Sequence, residues 1–262
     1  MRQRHLFSFG LAICVVALIA APLPCASAED TPPAPFVSQL VDDVRLRGIE
    51  DVHREGNYLY LPCREGQRLT ICAIDDPAHP KILSSFTHPE LGPAAGFALH
   101  GNTAYIASQS NSRLLVVDVT DKSTPKLLGS TGLDGGVLYK VAYRDGFCYV
   151  AQLTDKKLYV VDVRNPHTPV VSEGKDGPFS VLLHGNYALV GTIFGTENRL
   201  AVVDIQDPTA PRVAHQFIVP HGGQFSGDVV GDLYFTVHWD SNAFFVLDIG
   251  ALPEPKLVAS LI

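Results

Sequence analysis

The chain has 262 residues, 46% of them apolar and 18% charged, with 22 Gly and 19 Pro. That is enough apolar material for one or two packed domains, and it excludes a disordered chain. A formal charge of −7, from 20 basic and 27 acidic residues, leaves no basic stripe and argues against a nucleic-acid partner. Few charges combined with many turn residues point to an all-β chain rather than a helical one.

In chain order, residues 1–28 read as a separate object. Arg2 and Arg4 make a charged start, Leu6 to Ala21 is almost wholly apolar, and Ala26-Ser27-Ala28 forms a small-x-small cleavage site before Glu29. This is the three-part pattern of a secretory signal peptide. Cleavage there leaves 234 residues, and loss of two Arg with no acid takes the charge to −9. Two alternatives stay open: an uncleaved anchor, for which the apolar run is short, and lipidation of Cys25. Cleavage removes Cys14 and Cys25 and leaves Cys63, Cys72 and Cys148, an odd number that does not make a disulfide framework. With no Asn-x-Ser/Thr triplet either, the sequence suits an exported bacterial protein of the periplasm or surface. No span is expected in the mature chain.

Residues 29–36 read as a short linker, and the rest is a repeat. One phrase recurs at 113–119, 157–163, 199–205 and 243–249, a run of apolar residues ending in Asp118-Val119, Asp162-Val163, Asp204-Ile205 and Asp248-Ile249. Residues 68–74 are a degenerate copy, with Ala73 in place of Asp. A Pro follows each copy six residues on: Pro80, Pro125, Pro169, Pro211 and Pro255. A turn and a strand precede each copy, beginning at Gly56-Asn57, Gly101-Asn102, Asp145-Gly146, Gly185-Asn186 and Gly231-Asp232.

Each unit of about 44 residues therefore predicts four short antiparallel strands, a to d, the size of a propeller blade. In the second unit these are Phe97–His100, Asn102–Gln109, Arg113–Val119 and Lys126–Ser130. Gly-Asn suits a two-residue hairpin turn. Strand c is apolar on both faces, as in Leu114-Leu115-Val116-Val117, which a sheet covered on both sides requires.

These residues resemble the LVIVD repeat, found in bacterial and archaeal cell-surface and exported proteins. The resemblance covers residues 37–262 and implies a β-propeller, here of five blades with four antiparallel strands each. It brings no catalytic residues with it. How the ring closes is open at this level. Phe36–Leu46 aligns with a strand d, yet the last unit has its own strand d at Lys256–Ile262. The N-terminal segment could displace that strand or add to it, and an open or domain-swapped assembly is the runner-up.

Residues present in every unit read as architecture. Four repeated Asp around a ring cannot converge on one ion, so each is expected to accept backbone N–H groups of its own c–d turn. Function is expected where the repeat breaks, on the upper face formed by the d–a and b–c loops. The fifth unit has the only Trp, Trp239, between His238 and Asp240, and its d–a loop carries His221-Gly222-Gly223-Gln224-Phe225. The positions equivalent to Trp239 are Arg64, Gln109 and Leu153, and the fourth unit has a two-residue insertion in its b–c loop, within 194–197. The starts of the a strands should line a channel mouth with Glu50-Asp51, Ala95-Gly96, Tyr139-Lys140, Phe179-Ser180 and Phe225-Ser226.

The candidate ligand-binding residues are therefore His221, Gln224, His238, Trp239, Asp240, Glu50, Asp51, Tyr139 and Lys140. Acid, base and aromatic rings around one opening suit a small polar ligand, a glycan or a protein partner. His221, His238 and Asp240 could meet on the fifth unit and are of types that suit a metal site, but no metal or other cofactor is expected. The sequence has no GxSxG, P-loop or dinucleotide fingerprint. A binding or interaction module is the main reading, and an extracytoplasmic hydrolase or lyase at the upper mouth is the alternative. A purely structural surface protein would lack an upper-face pocket.

The b–c register gives one further expectation. If Ser108 faces Arg113, then Cys63 faces Arg68 and Cys72 faces Leu59. This separates the two Cys along the hairpin beyond disulfide reach.

Overall fold

The computed structural model describes residues 38–154, 157–167, 170–173, 178–192, 199–218, 225–238 and 242–261. The expected leader and linker lie outside the described residues. So do His221, Gln224, Trp239, Asp240 and the 194–197 insertion.

Every regular element among the described residues is a strand, and the strands form five four-stranded antiparallel sheets. The first holds β1 (His53–Glu55), β2 (Tyr58–Cys63), β3 (Arg68–Ala73) and β4 (Lys81–Phe86). The second holds β5 (Ala94–His100), β6 (Thr103–Ser108), β7 (Arg113–Asp118) and β8 (Lys126–Gly132). The third holds β9 (Leu138–Arg144), β10 (Phe147–Gln152), β11 (Lys157–Asp162) and β12 (Val170–Glu173). The fourth holds β13 (Pro178–His184), β14 (Tyr187–Thr192), β15 (Arg199–Asp204) and β16 (Arg212–Ile218). The fifth holds β17 (Phe225–Val230), β18 (Leu233–His238), β19 (Ala243–Asp248) and β20 (Lys256–Leu261).

The turns explain the strands. At Gly56, Gly101, Gly185 and Gly231 the first turn residue takes a positive φ of 52–60°, which suits a Gly-first hairpin turn. In the third sheet Asp145 and Gly146 both do so. On the c–d side, the repeated Asp carboxylates accept the N–H two residues on: Thr120 N to Asp118 at 2.8 Å, Arg164 N to Asp162 at 3.0 Å, Gln206 N to Asp204 at 3.0 Å and Gly250 N to Asp248 at 2.9 Å. The backbone N–H in between reaches across to the a–b turn, as in Val119 N to Asn102 O at 2.9 Å and Ile205 N to Asn186 O at 2.9 Å. The repeated Asp is thus a turn lock.

Consecutive sheets stack face to face, and one rule governs all the contacts. The forward face of each sheet packs on the rear face of the next. Tyr60, Leu69 and Ile71 of the first meet Ala104, Ile106, Leu115 and Val117 of the second. Tyr105, Leu114 and Val116 meet Cys148, Val150, Tyr159 and Val161. Tyr149, Leu158 and Val160 meet Ala188, Val190, Ala201 and Val203. Leu189, Leu200 and Val202 meet Tyr234, Ala243, Phe245 and Leu247. Burial of each large apolar side chain contributes about 1.5–3 kcal/mol. This explains why the strands are apolar on both faces.

The N-terminal segment does not join the fifth sheet. That sheet has its own fourth strand, β20, paired with β19. Residues 38–49 instead lie over the rear face of the first sheet, where Leu40 and Leu46 pack on Leu61, Cys63 and Cys72. The Arg45 carbonyl accepts from Thr70 Oγ1 at 2.5 Å, and Ile49 pairs with Cys63. Among the described residues, no apolar cluster, hydrogen bond or ion pair joins the fifth sheet to the first.

The expected register holds. Cys63 pairs with Arg68 and Leu59 with Cys72. Cys63, Cys72 and Cys148 are free and buried.

Candidate functional site

Charged groups from the first three sheets converge at the start of the inner strands. Glu50 and Asp51 lie just before β1, where Glu50 N bonds Pro62 O at 2.9 Å. Arg64 follows β2, Gln109 follows β6, and Tyr139 and Lys140 lie in β9. Lys140 Nζ donates to Asp51 Oδ2 at 2.9 Å. His53 Nε2 is 3.3 Å from the same oxygen. Arg64 Nε donates to Gln109 Oε1 at 3.0 Å, and its Nη1 is 4.0 Å from Glu50 Oε2. The Tyr139 and Phe179 rings sit 4.7 Å apart, and the His53 and Phe97 rings 4.6 Å apart.

The second sheet makes this convergence possible by leaving space. Its pair at this level is Ala95-Gly96. A Cβ on Gly96 would come within 2.7 Å of Tyr139 O and 3.0 Å of the Lys140 backbone. With no side chain there, β9 presses against β5, and Lys140 reaches past the second sheet to Asp51 on the first.

The electrostatics separate the two neighbouring acids. Burial alone would raise Asp51, but the His53 imidazole and the Lys140 ammonium beside it outweigh that and hold the carboxyl well below the usual range. Burial dominates at Glu50, with Arg64 and Lys140 opposing only in part, so its pKa is raised. Burial also raises Tyr139, with Glu50 adding to the rise and Arg64 opposing it. Ser180 Oγ, in the neighbouring pair on β13, is buried with no hydrogen-bond partner among the described residues.

Of the sequence-level candidates, Glu50, Asp51, Tyr139 and Lys140 therefore share one site. His238 does not stand on the upper face. It ends β18, 2% exposed, with its ring 4.6 Å from Phe245. Burial pulls its pKa down to about 4. The strand runs one residue further than the expected loop, and alternation turns that residue inward. Three residues were not foreseen as part of the cluster: His53, Arg64 and Gln109. Arg64 and Gln109 were visible only as counterparts of Trp239. No group of three or more His, Cys, Asp or Glu side chains able to hold a metal occurs among the described residues. No helix among them is long and apolar enough to cross a membrane.

Five repeated four-stranded antiparallel sheets, stacked forward face on rear face, define an all-β protein of propeller-like construction. The sequence model of the LVIVD repeat matches residues 91–131, 135–174 and 179–218, which are the second, third and fourth sheets with their loops. The chain thus carries LVIVD repeats over these three sheets. No curated protein matches its sequence. Among solved structures it is similar to the hydrazine synthase of Kuenenia stuttgartiensis, at 15% identity and a TM-score of 0.67 over 87% of this chain and 69% of that one. A protein from Lactobacillus plantarum is similar at 16% identity and a TM-score of 0.66, over 78% of this chain and 68% of that one. The periplasmic gluconolactonase of Pseudomonas aeruginosa is similar at 10% identity and a TM-score of 0.64, over 79% of this chain and 67% of that one. At these identities the likeness concerns the fold.

Proposed function

We propose that the protein is an exported β-propeller scaffold whose five sheets are its blades. It acts as a binding module for a small polar or sugar-like ligand, free or carried by a partner, at the cluster around Asp51 and Lys140. The observation that carries this reading is the convergence of Glu50, Asp51, Arg64, Gln109, Tyr139 and Lys140 from three separate sheets. Paired charges beside a tilted aromatic pair offer both donors and acceptors, plus a face for a sugar ring. The charged groups at Asp51 are already paired, which favours binding over chemistry. Export rests on the leader pattern at 1–28 and is tested by N-terminal sequencing of secreted material, expected to begin at Glu29.

The binding test is calorimetry against a panel of glycans, polyols and sugar acids. Lys140→Met and Glu50→Gln should each weaken binding at least tenfold in a folded protein. Unchanged affinity in both would move the site elsewhere, and Trp239→Ala with His221→Ala then tests the fifth unit. One observation favours the alternative, a hydrolase or lyase: Glu50 is a carboxyl of raised pKa beside a guanidinium, as a general acid requires. Turnover of a sugar lactone or ester that is lost in Glu50→Gln would establish it.

A further inference from the structure

The cluster around Asp51 and Lys140 holds more hydrogen-bond donors than its own acceptors use. Gln109 is 5% exposed, and its Oε1 accepts from Arg64 Nε at 3.0 Å. That bond fixes which way the amide faces, because only its oxygen can accept. The Nε2 end is turned away from Arg64 and is buried with no hydrogen-bond partner among the described residues. The Tyr139 hydroxyl lies close enough to feel the amide without bonding to it. A buried amide nitrogen left unpaired is costly, and a ligand oxygen is one way to supply its acceptor. Lys140 Nζ spends one of its three donors among the described residues, on Asp51 at 2.9 Å. The acceptors divide unevenly. Asp51 takes both Lys140 and His53. Glu50 faces Arg64 at 4.0 Å, beyond hydrogen-bond distance.

We infer that the ligand proposed for this site is a sugar acid, its carboxylate received by the Gln109 amide and the Lys140 ammonium and its hydroxyls by Glu50; this rests on the cluster being a ligand site at all. A carboxylate suits these donors because, when ionised, it only accepts. A neutral sugar would meet them with hydroxyls, each of which brings a donor of its own. Hydroxyl donors are what Glu50 lacks. The Tyr139 and Phe179 rings, 4.7 Å apart, give the sugar ring a face. Charge narrows the choice of anion. Arg64 and Lys140 are matched by Glu50 and Asp51, so the site tolerates one added negative charge better than the two of a phosphate. Arg64, Tyr139 and Lys140 are each partly exposed, so the cluster opens to solvent. Gln109 is on this account the residue that sets specificity, since the Arg64 bond holds its nitrogen rather than its oxygen toward the ligand.

The test is calorimetry on the purified chain at pH 7 and fixed ionic strength with matched probes: glucuronate against glucose, galacturonate against galactose, and inorganic phosphate. At least one uronate should bind about tenfold or more tighter than its neutral partner, the effect of a hydrogen bond to a charged group. Gln109→Glu keeps an oxygen for Arg64 but replaces the amide nitrogen with a second acceptor. It should remove most of that preference while leaving the affinity for the neutral sugar within about threefold. The comparison of acid with neutral sugar on the unsubstituted chain needs no variant, so it decides the matter even if Gln109→Glu does not fold. Equal affinity for acid and neutral sugar, both weakened by Lys140→Met, overturns the inference and leaves the binding site standing. A uronate preference untouched by both Lys140→Met and Gln109→Glu overturns the inference and the site together, as does the absence of binding by all five probes. Phosphate bound more tightly than either uronate overturns the inference in favour of a phosphorylated ligand.

Discussion

Lys140 and Asp51 are 89 residues apart in sequence and 2.9 Å apart in space. They belong to the third and first sheets, and the second sheet yields the space between them at Gly96. The two neighbouring acids of this site are therefore expected to respond in opposite ways to removal of charge. Asp51 has a lowered pKa, so its ionised form stabilises the fold above the ordinary carboxylate range, and that contribution is lost as pH falls through it. Glu50 has a raised pKa, so its charge at neutral pH costs stability. At pH 7, Asp51→Asn should cost about 1–3 kcal/mol, the usual range for a hydrogen-bonded charge. Glu50→Gln should be neutral or stabilising. Urea unfolding of the two variants at pH 7 checks the difference in sign.

Gly96→Ala should be destabilising by about 1–3 kcal/mol, because the new methyl meets backbone rather than a movable side chain. It should also separate β5 from β9 and lengthen the Lys140–Asp51 contact. Ligand affinity should then fall further than in Ala95→Ser, which leaves the approach of the two strands alone. Melting temperature and binding measured on the same preparations check both effects.

His238 gives a separate acid signature. Its folded pKa of about 4 lies below the ordinary 6.5 of an imidazole, so the unfolded chain holds more protons between those values. The destabilisation is absent above pH 6.5, grows as pH falls, and levels off below about 4, reaching about 3 kcal/mol at most. His238→Gln, which does not titrate, should flatten the stability profile across that window whatever its baseline.

Replacing a turn Asp should cost the bond to the N–H two residues on, and at Asp204 also the contacts that its carboxylate accepts from the exposed Arg212 guanidinium. Asp118→Ala and Asp204→Ala should each lower stability by about 0.5–1.5 kcal/mol. The double variant should lose close to the sum, since the two turns share no partner. The first sheet already carries Ala73 at this position, so Ala73→Asp should be neutral or stabilising there.

Thiol chemistry checks the register. Burial raises Cys63, pushes Cys72 up to about 11, and pushes Cys148 well above its ordinary value. All three should resist alkylation in the folded protein. The unfolded chain without residues 1–28 should titrate three free groups. Two fewer would mean a Cys63–Cys72 bond and a shifted hairpin.

Much of this was legible in the sequence, for identifiable reasons. The pairing of Cys63 with Arg68 followed from the distance between two apolar runs, and the lock at Asp118 from its place before a Pro-containing turn. Both depend on neighbours within about ten residues. The site was legible only in part. Glu50, Asp51, Tyr139 and Lys140 could be placed at one level by counting repeats, but the pairing of Lys140 with Asp51 depends on what Gly96 lacks, and Arg64 with Gln109 crosses between sheets. His238 shows the limit of loop assignment, since one extra residue of strand turned it from the surface to the core. The forward face of the fifth sheet, with no apolar cluster against it among the described residues, could not be read in this way. Leu233, Phe235 and Val237 have the pattern of any other blade, and a pattern of alternation does not say whether a neighbour is present.

The backbone bonds that tie each c–d turn to its a–b turn, such as Val119 N to Asn102 O, have a consequence for engineering. They lock one rim of every sheet by main-chain contacts that no side-chain change removes. The opposite rim is held mainly from loop to loop, as in Leu133 N to Ser112 O at 2.7 Å, and the ladder of β6 with β7 ends at Ser108 and Arg113, so length changes between those two residues stay outside the ladder. A foreign peptide spliced between Ser110 and Asn111 should be displayed outward while β6 and β7 keep their register. The repeat is in that sense a natural presentation scaffold, fastened along its base and free to vary along its crown.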